Sequence, residues 1–131
     1  MGNKTSKTSK ANFEYFTRCT KDYIKRLGML DFEYEFAHKN LDDIPELKGS
    51  IAGVEFSITG RNCTVILNTI WEGTKISNFE LKKAALHEVL HMLLCDYDDA
   101  ASGRFNISTT QLATLEHAVI QRLLNFILGE V

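Results

Sequence analysis

Apolar residues fall along this chain in two periods. Over residues 11–28, Phe13, Phe16, Cys19, Tyr23, Ile24 and Leu27 recur at three- and four-residue steps, the spacing of one helix face, and Gly28 supplies a stop. The period then changes to two. Residues 30–38 set Phe32, Tyr34 and Phe36 against Glu33 and Glu35, which predicts a half-buried strand. Residues 50–58 carry Ile51, Val54, Phe56 and Ile58 as a second strand. Residues 63–70, Cys-Thr-Val-Ile-Leu-Asn-Thr-Ile, are β-branched and mostly apolar, which predicts a central strand covered on both faces. Turn-forming stretches separate these segments: Asn40 to Gly49, which holds the sole proline, Pro45, and Thr59-Gly60-Arg61-Asn62. Capping boxes at Ser77-Asn78-Phe79-Glu80 and Ser108-Thr109-Thr110-Gln111 then open two helices, running to about Cys95 and about Leu128. The order α-β-β-β-α-α predicts an α+β domain with a small, largely antiparallel sheet packed on the first of these two helices.

Composition narrows the class. A chain of 131 residues with 44% apolar and 24% charged residues fits one compact domain, over residues 11–131. Residues 1–10 are a Lys/Ser/Thr tail, expected to be flexible. No apolar run reaches the roughly 18 residues of a membrane span, and the polar start does not resemble a secretory signal. The formal net charge is only -2, which argues against nucleic-acid binding through bulk charge. The charge is uneven, with +5 over residues 1–30 and -7 over residues 31–131, and a solvated helix face accounts for the basic part. Cys19, Cys63 and Cys95 form no close pair; they read as free thiols filling space in a reducing, cytoplasmic setting. Met1-Gly2-Asn3-Lys4-Thr5-Ser6 fits the myristoylation pattern, which keeps a membrane-tethered adaptor as one reading of the N-terminus.

Chemistry concentrates on the penultimate helix. His87-Glu88-Val89-Leu90-His91 is an H-E-x-x-H motif, a pattern that arises in about 0.7% of shuffled chains of this composition. Residues four apart lie on one helix face, so two imidazoles can reach one Zn²⁺ at about 2.1 Å. Glu88 falls on the same arc, placed to take a proton from metal-activated water and pass it on. The motif is flanked by Ala84-Ala85-Leu86 and Met92-Leu93-Leu94, where an unligated histidine pair is costly to bury.

A third ligand is sought on the last helix. With Leu112 at 0° and 100° per residue, Leu115, Val119, Ile120, Leu123 and Ile127 form an apolar stripe, and Glu116 falls inside it at about +40°. A carboxylate there needs a partner: a metal, backbone groups or Arg122. His117, at about 140°, sits on the flank of the stripe, as an exposed or supporting residue or as the third ligand in place of Glu116. Asp96 lies on the wrong face, Asp98 is too far along the axis, and Asp96-Tyr97-Asp98-Asp99 reads as a solvated helix end. His38 reads as a surface residue at a strand end.

An H-E-V-L-H helix followed by a glutamate on the next helix resembles the gluzincin branch of the zincin metallopeptidases. The chain is most similar to small phage-type and bacterial metallopeptidases. They share the basic helix ending at Tyr23 to Leu30, the strand end Val65-Ile66-Leu67-Asn68, the helix Ala85 to Leu94 and the final helix Leu115 to Leu123. The metzincin pattern is absent, because Leu94 and Tyr97 stand where its glycine and third histidine fall. The resemblance implies a minimal zincin-like domain with one Zn²⁺ on His87, His91 and Glu116. It implies Glu88 as general base, with His117 or Tyr97 as candidates to stabilise the transition state. The expected function is zinc-dependent hydrolysis of a peptide or protein substrate that pairs with an exposed sheet edge. The alternative is a zinc-stabilised regulatory or binding protein without turnover.

Overall fold

The computed structural model describes residues 4–27, 29–30, 32–57, 59–95 and 109–128. The described chain is α+β, as its periodicities predict. Helix α1, Lys10–Arg26, begins where Ser9 caps it. The Ser9 hydroxyl accepts from Asn12 N–H, and the Asn12 side chain accepts in return from Ser9 N–H. Its buried residues, Phe16, Thr20, Tyr23 and Ile24, keep the three-four spacing read from the sequence. Strands β2 (Glu33–Lys39), β3 (Ala52–Ser57) and β4 (Asn62–Asn68) form one sheet in the order β2-β4-β3. Central β4 is the segment whose apolar run predicts burial on both faces, and Val65, Ile66 and Leu67 are all fully buried. The β3–β4 pair is antiparallel, with Val54 opposite Val65. The β2–β4 pair is parallel, with Phe36 opposite Val65, so the sheet is mixed.

Cys63, Val65 and Leu67 turn one sheet face towards α1 and helix α2, Asn78–Leu93. α1 and α2 pack against each other on that face and complete the core with Phe16, Ile24, Leu81, Ala85, Val89 and Leu90. Ser77 caps α2 as its sequence predicts, its hydroxyl accepting from Glu80 N–H. The last helix, α3 (Thr109–Leu128), leans on α2 and buries Ile120 and Leu124. The Ser108 capping box lies outside the described residues. Cys63 and Cys95 are buried, as fillers should be, and burial pushes the Cys63 thiol up to about 12. Among the described residues, no helix is long and apolar enough to cross a membrane.

The N-terminal segment departs from expectation. A flexible tail is predicted over residues 1–10, yet β1, Thr5–Lys7, pairs antiparallel with β5, Ile70–Glu72, and Ser6 lies opposite Trp71. Thr8 N–H extends the ladder by donating to Thr69 O. The tripeptide Thr-Ser-Lys has no apolar signal, and its partner strand is more than sixty residues on, so local reading cannot find it. Trp71 of β5 is fully buried and belongs to the hydrophobic core.

His38 is corrected in the same place. It stands at the strand end, but it is half-buried rather than on the surface. Its ring stacks on Phe13 (centroids 5.1 Å apart), and its Nε2 lies 2.7 Å from Thr8 Oγ1. The Thr8 hydroxyl proton goes to Asn68 O, so the His38 Nε2–H donates to Thr8 Oγ1 and the neutral ring satisfies the arrangement. Burial holds the His38 pKa below the ordinary histidine value. The unfolded chain therefore binds more protons than the folded one below about pH 6.5, and stability falls as pH drops through that range. Urea midpoints measured between pH 7.5 and 5 should decline less steeply in His38→Gln. An identical slope in both proteins contradicts the assignment.

Candidate metal centre

α2 carries His87, Glu88 and His91, and α3 brings His117 and Glu116 across it. One ring nitrogen of each of His87, His91 and His117 lies within 4.8 Å of those of the other two, so three histidines stand close enough to hold a metal ion. Their rings meet at short range, with centroids 4.7 Å apart for His87–His91 and 4.9 Å for His91–His117. The two α2 histidines converge because they are four residues apart on one face.

The hydrogen bonds around these rings settle which nitrogen each can offer. His87 Nδ1 lies 3.0 Å from Glu88 Oε2, His91 Nδ1 lies 2.7 Å from Glu116 Oε1, and His117 Nδ1 lies 2.8 Å from the carbonyl of Ala113, one turn back. The partners are carboxylates and a carbonyl, which accept and do not donate. Each Nδ1 is therefore the donor in its hydrogen bond, which leaves Nε2 as the nitrogen each ring can offer to a metal. Imidazoles whose Nδ1–H groups are bonded to acceptors make a donor set suited to a divalent transition metal, and the acceptors fix ring orientation. The residues present fit the ion.

By sequence the third ligand is Glu116, with His117 in its place as the alternative. The structure groups His117 with the α2 histidines and sets Glu116 against His91 Nδ1. Among the described side chains of α3, Ile120 and Leu124 are buried. They lie at about 80° and 120° on the wheel centred at Leu112, between the directions of Glu116 and His117. Arg122 and Tyr97 fall outside the residues whose side chains or backbone are described, as do Asp96 and Asp98.

Glu88 is buried, 5% exposed, and still reaches two cavities. One, of about 410 Å³, is lined by His87 and Glu88 from α2, Ile51 just before β3, Ala52 from its start, and Gln121 and Leu124 from α3. The other, of about 170 Å³, holds Glu88, His91 and Glu116 against Val54 and Phe56 of β3 and Leu47. Among the described residues β3 is an edge strand, and residues in or next to it line both cavities that Glu88 reaches. No family model, no curated protein and no solved structure matches this chain.

Proposed function

We propose that this protein is a zinc-dependent peptidase, with the metal held by His87, His91 and His117 and with Glu88 as general base. The observation that carries the reading is the convergence of three imidazoles, each with Nδ1 tied to an acceptor, beside a buried carboxylate and an open strand edge. The H-E-x-x-H sequence and its resemblance to the zincins support it. Zn²⁺, when bound, supplies Lewis acidity that polarises a carbonyl and acidifies water. The chain's own groups do the rest. Glu116 orients His91, and the Ala113 carbonyl orients His117. The buried Glu88 lines both cavities, where it would take a proton from the attacking water and deliver it to the leaving amine. The outer edge of β3 offers backbone groups to an extended peptide, which would cross above Glu88 with its amides paired to the strand.

The test is a peptide-library digest with metal-free protein, zinc-loaded protein and zinc-loaded protein treated with chelator. Cleavage only in the second sample is expected. Stoichiometric zinc with no cleavage of any peptide replaces the peptidase reading with a metal-stabilised binding protein.

A further inference from the structure

Segment 41–50 is a turn-rich connection by sequence, and its structure is more specific than that. It folds as two short 3-10 turns, Leu41–Asp43 and Pro45–Leu47, tied internally by Ile44 N–H to Leu41 O, Leu47 N–H to Ile44 O and Ser50 N–H to Leu47 O. Both ends of the segment are held by one side chain. Asn68, 2% exposed at the end of β4, accepts Leu41 N–H on Oδ1 at 3.2 Å and donates Nδ2–H to Ser50 O at 2.7 Å. Its Oδ1 also accepts Ile70 N–H, so no aliphatic side chain could replace it without orphaning buried backbone groups.

The segment so held walls both cavities beside Glu88. Gly49 and Ser50 line the larger one and Leu47 the smaller one. Leu47 seats tightly on β3: a Cβ on Gly53 would fall 2.7 Å from Leu47 Cδ1, so the strand carries glycine where the leucine crosses it. The smaller cavity, about 170 Å³, is below the roughly 300 Å³ at which pockets for whole ligands begin, and Leu47, Val54 and Phe56 make one side of it aliphatic and aromatic. It suits a single apolar side chain held next to the His91–Glu116 pair.

We propose that segment 41–50 is the specificity-determining wall of this site, that the Leu47–Val54–Phe56 cleft selects an aliphatic side chain beside the reacting carbonyl, and that Asn68 is the positioning residue that sets the wall. The proposal rests on the metal-centre reading above. If the segment only covered the far face of the sheet, where fully buried Leu41 and Ile66 lie, Leu47 would affect stability and nothing else.

The experiment titrates zinc-loaded protein with leucine hydroxamate and glycine hydroxamate by calorimetry. The two probes share a metal-binding group and differ only in the isobutyl side chain. Wild type is expected to bind the leucine compound about ten-fold tighter, the scale of an aliphatic group entering an apolar pocket. Leu47→Ala should cut that preference to within about three-fold and leave glycine hydroxamate unchanged, and Leu47→Met should restore it. Asn68→Asp keeps the acceptor for Leu41 N–H and loses the donor to Ser50 O. It should weaken the preference and raise amide exchange over residues 41–50, with zinc content unaltered; if that variant does not fold, Asn68→Ser is read in its place. Equal binding of the two probes by wild type, or a preference that survives Leu47→Ala, overturns the wall and leaves the metal reading standing. Binding of neither probe overturns the metal reading and the wall with it.

Discussion

Glu88→Gln is expected to keep its zinc and lose peptide hydrolysis by about two to four orders of magnitude, the contribution of a general base. The substitution is nearly isosteric at a buried position, and the amide oxygen can still accept from His87 Nδ1–H, so neither the helix nor the histidine is disturbed. What is lost is the capacity to take up a proton. Among the described residues no other carboxylate lines both cavities: Glu80 lines the larger and Glu116 the smaller, where it is engaged with His91. Zinc content and cleavage rate should be measured on the same preparation. A rate within ten-fold of wild type at full zinc occupancy would move the base elsewhere.

The largest effect on stability is expected at Trp71. This is the chain's sole tryptophan, a fully buried residue of β5 that stands opposite Ser6 of β1. Trp71→Ala should cost about 3–5 kcal/mol, from lost burial and the cavity left behind. That is a large share of the roughly 5–15 kcal/mol that holds a domain together. Among the described residues its Nε1–H has no hydrogen-bond partner, so the indole acts through packing alone. Trp71→Phe should therefore cost much less than Trp71→Ala. Urea unfolding followed by far-ultraviolet circular dichroism measures both, and a mild Trp71→Ala phenotype would mean that the N-terminal strand does not seal the core.

The sequence made some of this architecture legible and hid the rest for identifiable reasons. Helix α1 is found because an amphipathic face repeats five times over seventeen residues, and β4 because a strand covered on both faces must be apolar along its length. The His87–Glu88–His91 arc is visible because helix geometry fixes side-chain directions from spacing alone. Other features escape. β1 is polar and exists only through a distant partner, and the parallel β2–β4 pairing is likewise a long-range choice. The capping box of α1 has Asn12 where glutamate or glutamine is usual. The last helix offers both Glu116 and His117 to the site because a wheel anchored on Leu112 puts them at about 40° and 140°, and the spacing alone does not choose between them. Asn68 gives no local signal, because its partners, Leu41 and Ser50, come from a different part of the chain.

Among the described residues, two helices, one edge strand and the 41–50 segment line both cavities. Two of the residues involved serve twice. Glu116 steadies a histidine and lines a cavity, and Asn68 ends a strand and fastens a wall.

The central claim is that one metal ion is held by His87, His91 and His117, with Glu116 behind His91. Zinc bound per chain, measured by elemental analysis after equilibrium dialysis, tests it most directly across wild type, His117→Ala and Glu116→Gln. Wild type should hold one zinc and His117→Ala essentially none at the same free metal. Glu116→Gln should still bind, with affinity lowered about 10–100-fold, as for loss of a supporting carboxylate. Full zinc in His117→Ala, or complete loss in Glu116→Gln alone, would contradict the three-histidine centre.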